Sequence, residues 1–202
     1  MLLSSRFDSS LHYATLIHAG QIRKGSGIPY ISHLLAVTSL ALEFGANEDE
    51  TIGALLHDAA EDAGGEGRIQ DIELRFGANV TAIVRGCSDC TVEQGAAKPS
   101  WHQRKLDYIA HISAASPSVR LVSACDKLHN SRAILLDYRT VGEDLWQRFS
   151  AKKAGTLWYY WKLAEAFHLT DTSPPLVDEL ERTVRDLFAL CHQPWQEPVY
   201  PS

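Results

Sequence analysis

The sequence predicts an all-α protein, a single helical bundle spanning residues 1–202. Three observations carry this expectation. Apolar residues recur at helical spacing in almost every segment, the segments stop at glycine or proline, and no strand ladder, internal repeat or interdomain linker is found between them. The length suffices for one domain with a proper core.

In chain order, "FDSSLHYATLIHAG" offers Asp and Ser as cap candidates and Gly20 as a C-terminal stop. "YISHLLAVTSLALEFG" keeps helical spacing as far as Gly45. "NEDETIGALLHDAAEDAGG" opens with acidic residues, which suit a helix N-terminus, and predicts one helix ending at the glycine pair 64–65. "RIQDIELRFG" and "ANVTAIVRGCSD" predict two shorter helices, and "TVEQGAAKPS", residues 91 to 100, is the clearest loop. "WHQRKLDYIAHIS" resumes a helix, followed by the long "SPSVRLVSACDKLHNSRAILLDYR" with Ser116 as cap and Pro117 at the first helical position. "FSAKKAGTLWYYWKLAEAFHL" is aromatic-rich, with most rings expected in the core and one available to cap a pocket. "PPLVDELERTVRDLFALCHQ" supplies a last amphipathic helix over about 174–192, before the irregular tail "PWQEPVYPS".

Composition narrows the function. A net charge of −6 argues against broad electrostatic binding to nucleic acid or to acidic membranes, but leaves room for a small anionic ligand in a local basic pocket. No apolar run approaches the roughly 18 residues of a membrane span, and "MLLSSRFDSS" is too short an apolar start for a secretory signal, so the cytoplasm is the expected compartment. Cys87 and Cys90 form a CxxC without the second pair a structural zinc site wants. With Cys125 and Cys191 they are expected as reduced, partly buried thiols.

The stretch "ALLHDAAEDAG" carries a histidine and three carboxylates on about two helical turns, groups that repel one another and lose solvation if they face a core. A divalent metal and a phosphate ester would neutralise them. On one helix His57 lies beside Glu61 and Asp58 beside Asp62. His57 and Asp58 can straddle one metal, with His33 in "PYISH" and Asp126 in "ACDKLHN" as the candidate partners from elsewhere. Two imidazoles and two carboxylates suit Mn²⁺, and also Fe²⁺ or Zn²⁺. Glu61 or Asp62 could orient a water or take its proton. The plainer alternatives are a satisfied structural role for a lone His33 or Asp126 and a solvated acidic face. They account less well for apolar residues before the polar block and alanines within it.

"HAGQIRKGSGIPYISH", "ALLHDAAEDAGG" and "ACDKLHNSRAILLD" resemble successive signatures of the HD-domain alarmone hydrolases. This family is related to the hydrolase half of the Rel/SpoT enzymes and includes stand-alone Mesh1-like forms. The resemblance spans roughly residues 7 to 165. It implies an all-α HD domain, one Mn²⁺ held by His33, His57, Asp58 and Asp126, and removal of the 3′-pyrophosphate from ppGpp or pppGpp. It also implies that Glu61 and Asp62 serve catalysis and that Arg23, Lys24 and Asn130 line the nucleotide pocket.

Physical roles fit these positions. Arg23 can stack on a base or pair with phosphate, Lys24 is a mobile charge, and Asn130 shares a helical face with Asp126. Lys127 points about 100° away, to solvent or to a phosphate. Lys98, Arg104 and Lys105 concentrate positive charge within "AKPSWHQRKLDY", and Lys98 resembles a pyrophosphate-contacting lysine of the family. His18 is expected to support the metal site by a hydrogen bond, or simply to pack. Leu34 replaces the Pro that follows the first metal-binding His in some members, and "AGGEGR" after the acidic pair agrees with the bacterial stand-alone group. The chain is expected to hydrolyse without synthesising. Its expected partner is a small-molecule nucleotide, with no nucleic acid or membrane, and a homo-oligomer is left open. Rival substrates are pppApp and NADPH. Other readings are a nucleotide sensor without turnover, which the intact acidic pair disfavours, and a helical interaction module, which leaves the polar cluster unexplained.

Overall fold

The computed structural model describes residues 2–62, 64–88 and 99–200, with Asp62 described by its backbone alone. Ten α-helices run along it: α1 (Ser5–Ile17), α2 (Ile31–Glu43), α3 (Glu48–Leu56), α4 (Ala59–Asp62), α5 (Gly65–Phe76), α6 (Ala78–Cys87), α7 (Trp101–Ala114), α8 (Pro117–Val141), α9 (Lys152–His168) and α10 (Pro174–Leu190). A 3-10 helix, Gly142–Arg148, joins α8 to α9. Among the described residues there is no strand, only an isolated antiparallel bridge between Ile22 and Pro29. The all-α expectation is met. No described helix is long and apolar enough to cross a membrane.

Contacts group the chain into two compact units, Met1–Pro99 with Ala115–Cys125, and Ser100–Ala114 with Asp126–Ser202. In the first, α3 is the central element, packing against α1, α2 and α6, while α5 packs against α4 and α6. Every residue from Thr51 to Leu56 is buried. The core around it includes Leu34, Ile52, Leu55, Ile69, Ile72 and Val80, each fully buried. Such side chains contribute about 1.5–3 kcal/mol apiece when taken from water. Gly53 lets α3 approach α6 closely: a Cβ there would stand 2.6 Å from Ile83 Cγ2 on α6. The start of α3 is fixed by a capping box, with Asn47 Oδ1 accepting from the Glu50 amide at 3.0 Å and Glu50 Oε2 accepting from the Asn47 amide at 2.7 Å.

The structure departs from the predicted helix over residues 47–65 by breaking it at His57 and Asp58, between α3 and α4. His57 Nδ1 lies 2.8 Å from the Ala54 carbonyl oxygen, a side-chain competitor for an acceptor of the helix ladder. The expected neighbour relations of an unbroken helix therefore do not describe residues 57–62.

In the second unit, α9 packs against α7, α10 and the 3-10 helix. Trp158, Tyr159 and Tyr160 are buried, as expected for a core aromatic helix. Leu176, Leu180, Val184 and Leu187 give α10 its single apolar face. At the start of α8, Ser116 Oγ accepts from the Val119 amide at 3.3 Å and Pro117 occupies the first helical position, as the sequence suggests. Among the described residues Cys87, Cys125 and Cys191 are not joined in a disulfide, and Cys90 lies outside those residues.

Candidate metal centre

The polar cluster forms where α2 begins and where α3 gives way to α4. The loop between α1 and α2 is closed by the Ile22–Pro29 bridge, with the Arg23 amide donating to Ile28 O at 2.8 Å and the Tyr30 amide to Gln21 O at 2.9 Å. That closure fixes the entry to α2, so that His33 faces inward one turn later. His57 and Asp58 arrive from the helix break.

One ligand atom each from His33, His57 and Asp58 lies within 4.8 Å of the others. Asp58 Oδ2 is 3.1 Å from His57 Nε2 and 3.4 Å from His33 Nε2, and both imidazoles are 2% exposed. Nδ1 of His57 donates to Ala54 O, so in the neutral imidazole, the form that ligates a metal, Nε2 carries its lone pair towards a carboxylate oxygen. Two electron-rich atoms facing each other in a buried place are stabilised by a cation between them. The donor set, two imidazole nitrogens and a carboxylate oxygen, fits a divalent transition ion.

Around these three sits a layer made of His18, which the sequence singled out, and of Tyr30 and Gln21, which it did not. Tyr30 O–H donates to Asp58 Oδ2 at 2.5 Å. Its ring stacks on His18, with centroids 5.4 Å apart at 27°, and meets the His33 ring edge-on at 5.6 Å. His18 Nδ1 pairs with Gln21 Oε1 at 2.7 Å. His18 thus reaches the cluster through the Tyr30 ring, not by a hydrogen bond to a ligand. The signal for Tyr30 was its position three residues before His33, which places both on one side of a helical turn.

The other candidates are distributed as follows. Glu61 is exposed on the four-residue α4, and the Asp62 side chain lies outside the described residues, as does Lys98. Arg23 is half-buried and Lys24 exposed on the loop before α2. In the second unit Asp126 is buried, with Oδ1 accepting from Asn130 Nδ2 and Oδ2 from Lys127 Nζ, both at 2.6 Å. Lys127 therefore folds back onto its neighbour and does not face solvent, one of the two directions expected for it. A flexible four-carbon stem overrides the direction of the Cα–Cβ bond. Burial is the largest single influence on the Lys127 ammonium and opposes it, but the Asp126 carboxylate together with Tyr108 and Tyr159 outweighs burial and holds the lysine well above its usual range. Arg104 and Lys105 are half-buried on α7, with Lys105 Nζ 5.0 Å from the centre of the Tyr159 ring.

Comparison with known proteins gives a consistent picture. A family model described as the HD domain matches residues 10–157. A GTP pyrophosphokinase of Streptomyces coelicolor is 37% identical over 118 residues, covering 58% of this chain and 13% of that protein. The zebrafish (Danio rerio) guanosine-3′,5′-bis(diphosphate) 3′-pyrophosphohydrolase Mesh1 is 30% identical over 126 residues, covering 61% of this chain and 66% of that protein. The matched region is thus a small part of the long relatives. The solved structure of a metazoan SpoT ortholog that hydrolyses ppGpp shares the fold, with a TM-score of 0.71 at 24% identity over 93% of this chain and 98% of that one.

Proposed function

This chain belongs to the HD-domain family, and we propose that it is a divalent-metal-dependent hydrolase that removes the 3′-pyrophosphate of ppGpp or pppGpp, leaving GDP or GTP. The observation that carries the proposal is the convergence of His33, His57 and Asp58 on one point, with His57 Nδ1 tied back to a carbonyl so that Nε2 faces the carboxylate. Relatives that bear the name of this activity, Mesh1 among them, support the choice of substrate.

In this reading His33, His57, Asp58 and Asp126 hold one Mn²⁺. The metal, when bound, acidifies a water and offsets charge on the phosphorus under attack. The remaining work falls to the protein. Glu61 and Asp62 orient the water and accept its proton on a carboxylate oxygen as the water oxygen bonds to phosphorus and the bond from phosphorus to the ribose 3′ oxygen breaks; that proton then passes to the 3′ oxygen, leaving a 3′-hydroxyl and free pyrophosphate. Arg23 stacks on or pairs with the nucleotide, Lys24 supplies a mobile charge, and Asn130 reaches the ligand from the face of α8 that carries Asp126. Lys98, Arg104 and Lys105 take the negative charge of the pyrophosphate, concentrating bases locally in an otherwise acidic protein. The cytoplasm, where such nucleotides occur, is the proposed setting.

The test is incubation of purified protein with ppGpp, pppApp and NADPH, each with and without Mn²⁺, followed by separation of products. Pyrophosphate released from ppGpp only with metal is the expected result. None at saturating Mn²⁺ removes the proposal, and release from pppApp alone moves the assignment to an adenine nucleotide.

A further inference from the structure

The segment after α10 returns across the second unit and ends on the helix that carries Arg104 and Lys105. Three residues tie it down. Trp195 packs edge-on against Phe188, with centroids 5.1 Å apart, under the Arg185 guanidinium at 4.3 Å. Glu197 accepts from Lys162 Nζ at 2.8 Å. Tyr200 lies flat on His102, with centroids 3.7 Å apart at 11°, meets Trp158 edge-on at 5.0 Å, and runs parallel to Trp101 at 6.4 Å. Gly155 borders this aromatic box: a Cβ there would stand 2.8 Å from Ala151 Cβ and in ordinary contact, at 3.5 Å, with Tyr200 Cε2.

Along the same segment a cavity of about 360 Å³ opens, lined among others by Leu157, Phe188, Gln193 and Pro198. The strap is therefore held at its anchors and not packed along its length. Its last anchor bears on the first turn of α7, where Ser100 caps the helix by accepting from the Gln103 amide at 3.2 Å. Trp101 and Lys105, one turn apart, both rest on Tyr159: the Trp101 ring is 5.8 Å from it and the Lys105 ammonium 5.0 Å. Trp101 and His102 stand within one turn of Arg104 and Lys105 at the start of α7.

We propose that Tyr200 is a positioning residue: it latches the strap 193–200 onto Trp101 and His102 and so holds the α7 bases ready for a pyrophosphate group. The inference rests on the reading of Arg104 and Lys105 as phosphate-binding residues. The strap couples a remote segment to substrate affinity through a stack of rings, without touching substrate.

The experiment compares Tyr200→Ala, Tyr200→Phe and His102→Ala with the unmodified protein, using hydrogen exchange of the amides of residues 103–106, affinity for inorganic pyrophosphate, and KM and kcat for ppGpp. Loss of the stacked ring should speed those exchange rates by about tenfold and weaken pyrophosphate binding and raise KM about fivefold, with kcat within about twofold. Tyr200→Phe keeps the ring and should behave as the parent, while His102→Ala removes the other face of the stack and should behave as Tyr200→Ala. Unchanged exchange in Tyr200→Ala overturns the latch. Faster exchange with unchanged pyrophosphate affinity overturns its link to substrate. A parent protein without ppGpp turnover would remove the proposed function, yet exchange and pyrophosphate binding would still decide the latch.

Discussion

Tyr30 and Asp58, 28 residues apart, share a hydrogen bond of 2.5 Å in which the phenol donates to the same carboxylate oxygen that faces His33 and His57. The oxygen is thereby aimed as well as placed. Its donor is itself held between the His18 and His33 rings, so the orientation of Asp58 depends on the closed loop that leads into α2.

Removing only that donor gives the first prediction. Tyr30→Phe keeps the ring contacts and should weaken Mn²⁺ binding roughly tenfold, the lower end of what outer-layer partners of metal ligands contribute. Calorimetric titration with Mn²⁺ reads this directly, and an unchanged affinity would show that Asp58 is oriented without Tyr30.

The ligand set itself can be tested by thermal stability. A metal that binds only the folded chain adds about 2.7 kcal/mol at a free concentration of one hundred times its Kd. Mn²⁺ should raise the midpoint of the parent protein, EDTA should reverse the gain, and Asp58→Ala should abolish both the gain and the activity. Asp126→Ala should do likewise; if it keeps full metal content, Asp126 leaves the set.

Packing at the centre of the first unit predicts a stability effect far from any ligand. Gly53→Ala places a methyl 2.6 Å from Ile83 Cγ2 on a buried contact of two helices, an overpacking that costs about 1–3 kcal/mol. Urea unfolding should show the loss, and Gly53→Ala/Ile83→Ala, which removes the opposing Cγ2, should cost less than the sum of the two single substitutions.

A pH effect follows from Asp71. Its carboxyl is held below the usual range, first by the Tyr13 O–H that donates to Oδ2 at 2.6 Å, with Arg75 and Arg68 adding to this against a smaller burial penalty. A depressed folded value means the stabilisation is present above the ordinary aspartate range and is lost as pH falls through the lowered value. Tyr13→Phe should move the Asp71 titration, followed by carboxyl NMR, upward towards the ordinary range. It should also reduce the part of acid destabilisation that Asp71 contributes. A titration that does not move would assign the depression to the arginines.

Much of the fold was legible because helices announce themselves locally. The apolar spacing of α10, the Ser116–Pro117 start of α8 and the acidic opening of α3 each depend on neighbours within a turn or two. The break at His57 and Asp58 was not legible, because "ALLHDAAEDA" has good helix formers on both sides and the competitor is the direction of one imidazole. Lys127 shows the same limit: spacing gives the direction of a Cβ, whereas the ammonium follows the nearest carboxylate.

By itself, then, the sequence determined the class of fold, the segments that become helices and the residue types able to bind a divalent ion, since all three follow from composition and short-range periodicity. Only the tertiary structure decided that Tyr30 aims Asp58, that His57 turns its Nε2 to that carboxylate, and that Tyr200 closes on His102. Each of these joins groups through space after loops have closed, and the angle of a ring or a carboxylate is set by what packs against it and not by its neighbours in the chain.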